Sequence, residues 1–132
     1  DNKIETTSQL KDILSAFYPK KIENKFLSKF FQALRIEVND EINALKDLLN
    51  DVVDLMNDKA RLVVISYHSL EDKLIKNLIT KGNVDGIDEN DFFGNRKLQL
   101  TPINKKVIVP TDSECNVNSR ARSAKLRIAE KI

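Results

Sequence analysis

The sequence predicts an α/β fold, and three observations carry that prediction. An apolar run, Leu62 to Ile65, empties into a dense polar cluster that opens a helix. Helical periodicities fill the residues before it, and two strand-like stretches close the chain. The run Leu62, Val63, Val64, Ile65 has no polar face, which is the pattern of a parallel strand covered by helices on both sides. Ser66, Tyr67, His68, Ser69, Glu71 and Asp72 arrive at its carboxyl end, where open α/β sheets place their ligands. Ser69 is the expected N-cap of the helix that follows, with Asp72 three residues on and Glu71 beside it.

From the amino terminus, Leu10, Ile13, Leu14 and Phe17 follow the i, i+3, i+4, i+7 spacing of a first helix. Thr7 or Ser8 can cap it, and Pro19 ends it. A second helix over Ile22 to Val38 presents Phe26, Leu27, Phe30, Phe31, Leu34 and Val38. The helical spacing of Phe26, Phe30 and Phe31 suits a core better than a stacking platform for bases. Asn39 can cap a third helix with a broad apolar face from Ile42 to Met56, wide enough to need cover on more than one side. After the strand, Leu70, Leu74, Ile75, Leu78 and Ile79 give a fourth helix that Gly82 stops. Gly82 to Gly94, acidic and holding all three glycines, reads as a surface loop. One strand is expected within Leu98 to Val109 and one within Ser123 to Ala129.

A chain of 132 residues, 41% hydrophobic and 32% charged, is at most one domain of an ordinary protein with a real core. No apolar run comes near the roughly 20 residues of a membrane span, and no signal peptide is expected. The single cysteine, Cys115, can form no internal disulfide, and one histidine leaves no zinc-ligand spacing, so no metal site is expected and a reducing, cytoplasmic setting fits best. The net charge of +2 conceals an asymmetry. Residues 1–94 carry 13 Lys and Arg against 17 Asp and Glu, whereas residues 95–132 carry 9 against 3. Such a basic tail suits a phosphate backbone, although a solvated strand would show the same alternation.

Three segments together resemble a known family: FFQALRIEVNDEI at Phe30 to Ile42, RLVVISYHSLEDK at Arg61 to Lys73, and NSRARSAKLRIAEK at Asn118 to Lys131. They are similar to the RsmH/MraW family. The resemblance covers nearly the whole chain outside Gly82 to Arg96. It implies the carboxyl-terminal part of a class I, Rossmann-like S-adenosylmethionine methyltransferase fold, plus part of an inserted helical domain. On that reading residues 1–38 belong to the insert, which helps recognise RNA, and residues 39–132 to the carboxyl-terminal half of the core. The implied reaction is methylation of the N4 amine of a cytidine in bacterial 16S ribosomal RNA within the small subunit. Three departures stand out: Lys73 in place of the usual Arg, Ser119 in place of Pro, and Asn57 to Ala60 in place of a Pro-Gly-Gly turn. Nothing here resembles the family's glycine-rich cofactor loop or its ribose-binding acid. The chain also begins without Met, so the expected state is a fragment whose missing half would hold S-adenosylmethionine.

An exocyclic amine has its lone pair drawn into the ring, so the enzyme must position the nitrogen and accept a proton. The base must also be unstacked and its phosphates held. Ser66, His68, Glu71 and Asp72, with Ser69 beside them, are the candidates for base positioning; Arg35, Lys73, Arg120, Arg122 and Lys125 are the candidates for RNA. Each has a structural alternative. His68 can shuttle a proton or fix its neighbours by hydrogen bonds. Glu71 and Asp72 can favour the helix amino terminus, and Arg35 can join helix to sheet by an ion pair with either. The rival to an enzyme is a non-catalytic RNA- or ribosome-binding helical module with a basic tail; a third reading keeps the fold and methylates DNA. An exposed strand edge is expected to pair with a second copy of the chain.

Overall fold

A computed structural model describes residues 3–88 and 96–132, so the middle of the expected acidic loop lies outside the described residues. The chain divides into two compact units, Asp1–Glu41 and Ile42–Ile132.

The first unit is helical. Helix α1, Thr7–Leu14, is capped by Thr6 rather than by Thr7 or Ser8. Thr6 Oγ1 accepts from the Gln9 amide at 3.2 Å, while Gln9 Oε1 accepts from the Thr6 amide at 3.1 Å, a closed capping box. A 3-10 turn continues it over Ser15–Phe17, and Tyr18, forced out of the helical region by Pro19, ends it. Helix α2, Glu23–Val38, follows a second 3-10 turn, Lys20–Ile22. The buried Tyr18 ring lies 4.7 Å from Phe26, which lies 6.4 Å from Phe30, which meets Phe31 edge-on at 5.9 Å. The three phenylalanines thus pack on one another and on Tyr18. Asn39, expected to open the third helix, closes the second instead: its amide donates to the Arg35 carbonyl, and Asp40 turns the chain at φ 52°. Asp tolerates the left-handed region because its short polar side chain can bond locally.

The second unit holds helix α3 (Glu41–Leu55), strand β1 (Arg61–Ser66), helix α4 (Ser69–Lys81), strand β2 (Leu100–Pro102), helix α5 (Asp112–Val117) and strand β3 (Lys125–Lys131). The three strands form one sheet in the order β1-β3-β2, antiparallel throughout. Strand β1 pairs with β3 from Arg61↔Glu130 to Ser66↔Lys125. Its expected parallel neighbours and two-sided burial are not found among the described residues: Val63 and Ile65 are 58% and 55% exposed, and one edge of β1 is unpaired. The core lies on the other face, where Leu49 and Val53 of α3, Leu74, Ile75, Leu78 and Ile79 of α4, and Val84, Leu100 and Ala129 close around Leu62 and Val64. Leu70, expected on the buried stripe of α4, is instead half exposed.

Helix α4 stops where expected. Gly82 takes φ 82°, its amide donates to the Leu78 carbonyl, and a Cβ there would run into the Lys97 carbonyl. Two features were not foreseen. Helix α5 is capped by Thr111, whose Oγ1 accepts from the Glu114 amide at 3.3 Å, and a 3-10 turn follows over Ser119–Ser123. Strand β3 also begins two residues later than the alternation predicts, because that turn holds Ser123.

Candidate functional site

The polar cluster at the carboxyl end of β1 is organised by a cap one residue earlier than expected. His68, not Ser69, is the N-cap of α4, and Glu71, not Asp72, completes the box. The Glu71 amide donates to His68 Nδ1 over a long 3.5 Å. Glu71 Oε2 accepts from the Tyr67 amide at 2.9 Å and from the His68 amide at 3.4 Å. The carboxylate therefore neutralises the positive end of the helix and pins the turn Ser66–Ser69.

Two polar atoms at this turn are buried and lack a hydrogen-bond partner among the described residues. One is the Oγ of Ser66, a residue only 2% exposed; the other is His68 Nε2. That nitrogen lies 3.0 Å from Glu71 Oε1, but out of line for a hydrogen bond. Buried polar atoms without partners cost stability, so a pair of them at a strand end marks a place where a ligand's polar edge could complete the bonding. Because Nδ1 accepts from Glu71, the proton of a neutral ring sits on Nε2, which then donates rather than accepts.

Asp72 behaves differently. It is buried on the inner face of α4, where Oδ1 accepts from Arg127 Nε at 2.7 Å and Oδ2 from Arg127 Nη2 and Lys125 Nζ at 3.2 Å each. The bidentate Arg127 holds its carboxyl below the ordinary value, with Lys125 helping and burial opposing. This carboxylate ties α4 to β3. Strand pairing puts Lys125 opposite Ser66, and the turn carrying the exposed Arg120 and Arg122 leads into Lys125. Ser66, His68, Glu71, Lys125 and these arginines thus belong to one end of the sheet.

Lys73 lies elsewhere, on a groove of about 350 Å³ between α3 and α4 that Ile42, Leu74 and the Lys46–Asp85 ion pair also line. Arg35 belongs to the first unit, and the ion pair expected with Glu71 or Asp72 is made with Glu41 at 2.8 Å. Sequence reasoning passed over Arg127, because an arginine alternating with apolar residues reads as solvent-facing. It also gave no role to Tyr67, whose ring is 57% exposed beside the cluster while Glu71 fixes its amide.

Among the described residues no group of three or more His, Cys, Asp or Glu could hold a metal, and no helix is long and apolar enough to cross a membrane. Nor do these residues fit a nucleoside cofactor. The strand-to-helix turn at Ser66–Ser69 contains no glycine, and two of its amides are occupied by Glu71.

The model of the MraW methylase family matches residues 1–132. A protein of Parabacteroides distasonis named ribosomal RNA small subunit methyltransferase H is 53% identical over 130 residues, 98% of this chain and 43% of the relative. Proteins of the same name from Amoebophilus asiaticus and Flavobacterium johnsoniae are 52% and 48% identical, over 97% and 98% of this chain. The chain spans well under half the length of these curated relatives.

Proposed function

The chain belongs to the MraW methylase family, and from that premise we propose that it is the carboxyl-terminal part of an enzyme that methylates ribosomal RNA of the small subunit. The substrate atom in this reading is the N4 amine of a 16S cytidine, and the methyl donor is S-adenosylmethionine, held by the part of the enzyme outside this chain. One observation carries the proposal: identity of 53% to a small-subunit RNA methyltransferase across 98% of the chain. The first helical unit then contributes to RNA recognition, and the rest supplies one end of a Rossmann-like core.

Within that reading this chain's residues position the base. Ser66 Oγ, buried and unpartnered, can accept one N–H of the exocyclic amine, and His68 Nε2 can donate to a ring acceptor of the same edge. Glu71 orients His68 through the cap and is the carboxylate beside it that can receive a proton. Tyr67 offers an exposed ring to the unstacked base, and Arg120 and Arg122 offer cations to its phosphates. Asp72 acts through β3, keeping Lys125 and Arg127 in place. The open edge of β1 suits pairing with a second copy; sedimentation as a monomer at micromolar concentration would rule that out.

The test is a chimera in which this chain replaces the matching 130 residues of the Parabacteroides distasonis relative. Incubated with labelled S-adenosylmethionine and unmodified small subunits, it is expected to yield N4-methylcytidine on nucleoside analysis. Label in DNA instead, or in no nucleoside at all, would refute the reading. Glu71→Gln in that chimera should lower transfer at least about tenfold with cofactor affinity unchanged. The chain by itself is expected to bind S-adenosylmethionine weakly or not at all; micromolar affinity by titration would overturn that part.

A further inference from the structure

We propose that the groove between α3 and α4 is a subsite for one nucleotide of the RNA, adjoining the target base of the preceding reading, and that it takes a base carrying an exocyclic amine. The inference deepens that reading and rests on its RNA substrate. The groove lies wholly in the second unit. Its volume of about 350 Å³ falls within the ~300–1,000 Å³ of small-ligand sites.

Helix α4 builds the floor and one wall. Leu70, Lys73, Leu74 and Asn77 follow i, i+3, i+4, i+7 and share one face, whereas Glu71 and Asp72 lie ~100° and ~200° round the helix from Leu70. The opposite wall is the turn after α4, and three contacts fix it. Asn77 Nδ2 donates to the Val84 carbonyl at 3.1 Å, Lys46 Nζ of α3 reaches Asp85 Oδ1 at 2.6 Å, and Lys81 Nζ donates to the Gly86 carbonyl at 2.8 Å. Gly86, at φ 75°, brings the turn so close to α4 that a Cβ there would collide with the Asn77 amide. The walls are thus set before a ligand arrives, which spares binding the cost of ordering them.

The lining divides into an apolar base and a charged rim. Leu74 and Val84 are buried, while Leu70 stays 51% exposed at the mouth, and together they offer apolar surface to the face of a base. Lys73 and, one turn on, Lys76 are exposed, and neither has an ion-pair partner among the described residues. Two such cations attract phosphate. Asp85 is the one acid among the described lining residues. Lys46 takes its Oδ1, and Oδ2, without a hydrogen bond among the described residues, can accept from an amino group. Cytosine, adenine and guanine carry such a group; uracil does not.

The groove begins where the polar cluster ends. Leu70 is the second residue of α4, whose N-cap is His68, and Lys73 stands about 7.5 Å along the axis from that cap. A strand that places one base at the turn Ser66–Ser69 has its neighbour at this mouth. That continuity, with an acceptor and two unpaired cations around one apolar floor, favours a nucleotide over an apolar anion such as a fatty acid, which would leave Asp85 unanswered.

The test is a titration of the ¹⁵N-labelled 132-residue chain with cytidine 5′-monophosphate, uridine 5′-monophosphate and decanoate, followed by amide shifts. The cytidine nucleotide is expected to move the amides of Lys73, Asn77, Val84 and Asp85 with a Kd on the order of 1 mM, and the uridine nucleotide to bind at least about threefold more weakly. Lys73→Ala should weaken the cytidine nucleotide at least about threefold and leave the nucleoside cytidine unaffected, because only the phosphate contact is lost. Asp85→Asn should erase the preference between the two nucleotides, since an amide can also donate to uracil. Lys105→Ala, at an exposed lysine outside the groove, should change nothing. In the chimera Lys73→Ala should raise KM for small subunits at least about threefold with kcat unchanged, as expected for a part of the substrate that does not react. Shifts confined to other residues, equal binding of the two nucleotides, or saturation by decanoate in place of both would each overturn the proposal. The titration decides the subsite and the activity of the unaltered chimera decides the methylation reading, so the two fail separately.

Discussion

The two faces of the three-stranded sheet are built from the same strands and meet opposite fates. On one face Leu62, Val64 and Ser66 alternate with their partners Ala129, Arg127 and Lys125 beneath α4. On the other, Val63 and Ile65 pair with Ile128 and Leu126. There Ile108, Val109, Pro110 and Glu114 line, with Ile65 and Leu126, a groove of about 140 Å³. The face that carries two cations beneath α4 is covered, while the one with Val63, Ile65, Ile128 and Leu126 at its middle and the Arg61–Glu130 ion pair at its end is open. Apolar residues of a strand thus face outward among the described residues, whereas a cation can face inward when a carboxylate is waiting for it. Asp72 is that carboxylate.

The sharpest way to break the contrast is Asp72→Asn. It removes the charge that Arg127 and Lys125 share beneath α4, and leaving these partly buried cations without a counter-charge should cost about 1–3 kcal/mol, read from urea unfolding at neutral pH. The dependence on pH has a fixed sign. Because the folded carboxyl sits below its ordinary value, its contribution is present above the unfolded-state value of about 3.9 and is lost as pH falls through the depressed folded value. The gap between the parent chain and Asp72→Asn should accordingly close on acidification, and a gap that widens would show that the ion pair is not what holds α4.

A smaller effect compares neighbours on β1. Val64→Ala removes methyls from the covered face and should cost about 1–2 kcal/mol; Ile65→Ala, on the open face, should cost under about 0.5 kcal/mol despite deleting more carbon. In the chimera the Ile65 cost should rise toward that of Val64 if a further layer covers the open face there. Equal costs in the isolated chain would mean that the open face is already packed in solution.

Much of this was legible in the residues. The four long helices, the strand at Leu62 and the stop at Gly82 follow from period and punctuation, because local sequence decides them. The capping errors have a common origin: hydroxyl residues crowd both helix starts, and the choice among Thr6, Thr7 and Ser8, or between His68 and Ser69, depends on which residue meets a Gln or Glu three positions on. Helix α5 carried the same signal in Thr111 and Glu114 but was too short to show a period. The order of strands resembled a sheet that ends in an antiparallel partner, but which strand lies beside β1, and in what register, is decided by contacts between distant residues, such as Arg127 with Asp72, 55 positions apart. For the same reason the cluster residues could be named in advance, but Asp72 could not be separated from Glu71.

The turn into β1 supplies the finest test of how the covered face is set. Lys59 sits at φ 64°, in the region where a Cβ is strained, and its amide donates to the Lys131 carbonyl at 3.0 Å while the Lys131 amide returns a bond to Ala60 at 2.9 Å. These bonds align the start of β1 with the end of β3, so the strain is tolerated for the sake of the register that places Val64 inward. Lys59→Gly relieves about 1–2 kcal/mol of backbone strain but gives the unfolded chain more freedom, an offset of about 0.5–1 kcal/mol. The expected net is a gain of about 0.5 kcal/mol, visible as a small rise in the urea midpoint with an unchanged slope. Lys59→Pro should do the reverse and more strongly, because proline can neither reach that φ nor donate to Lys131. A loss on substituting Gly would mean that the lysine side chain, and not the turn, fixes the register.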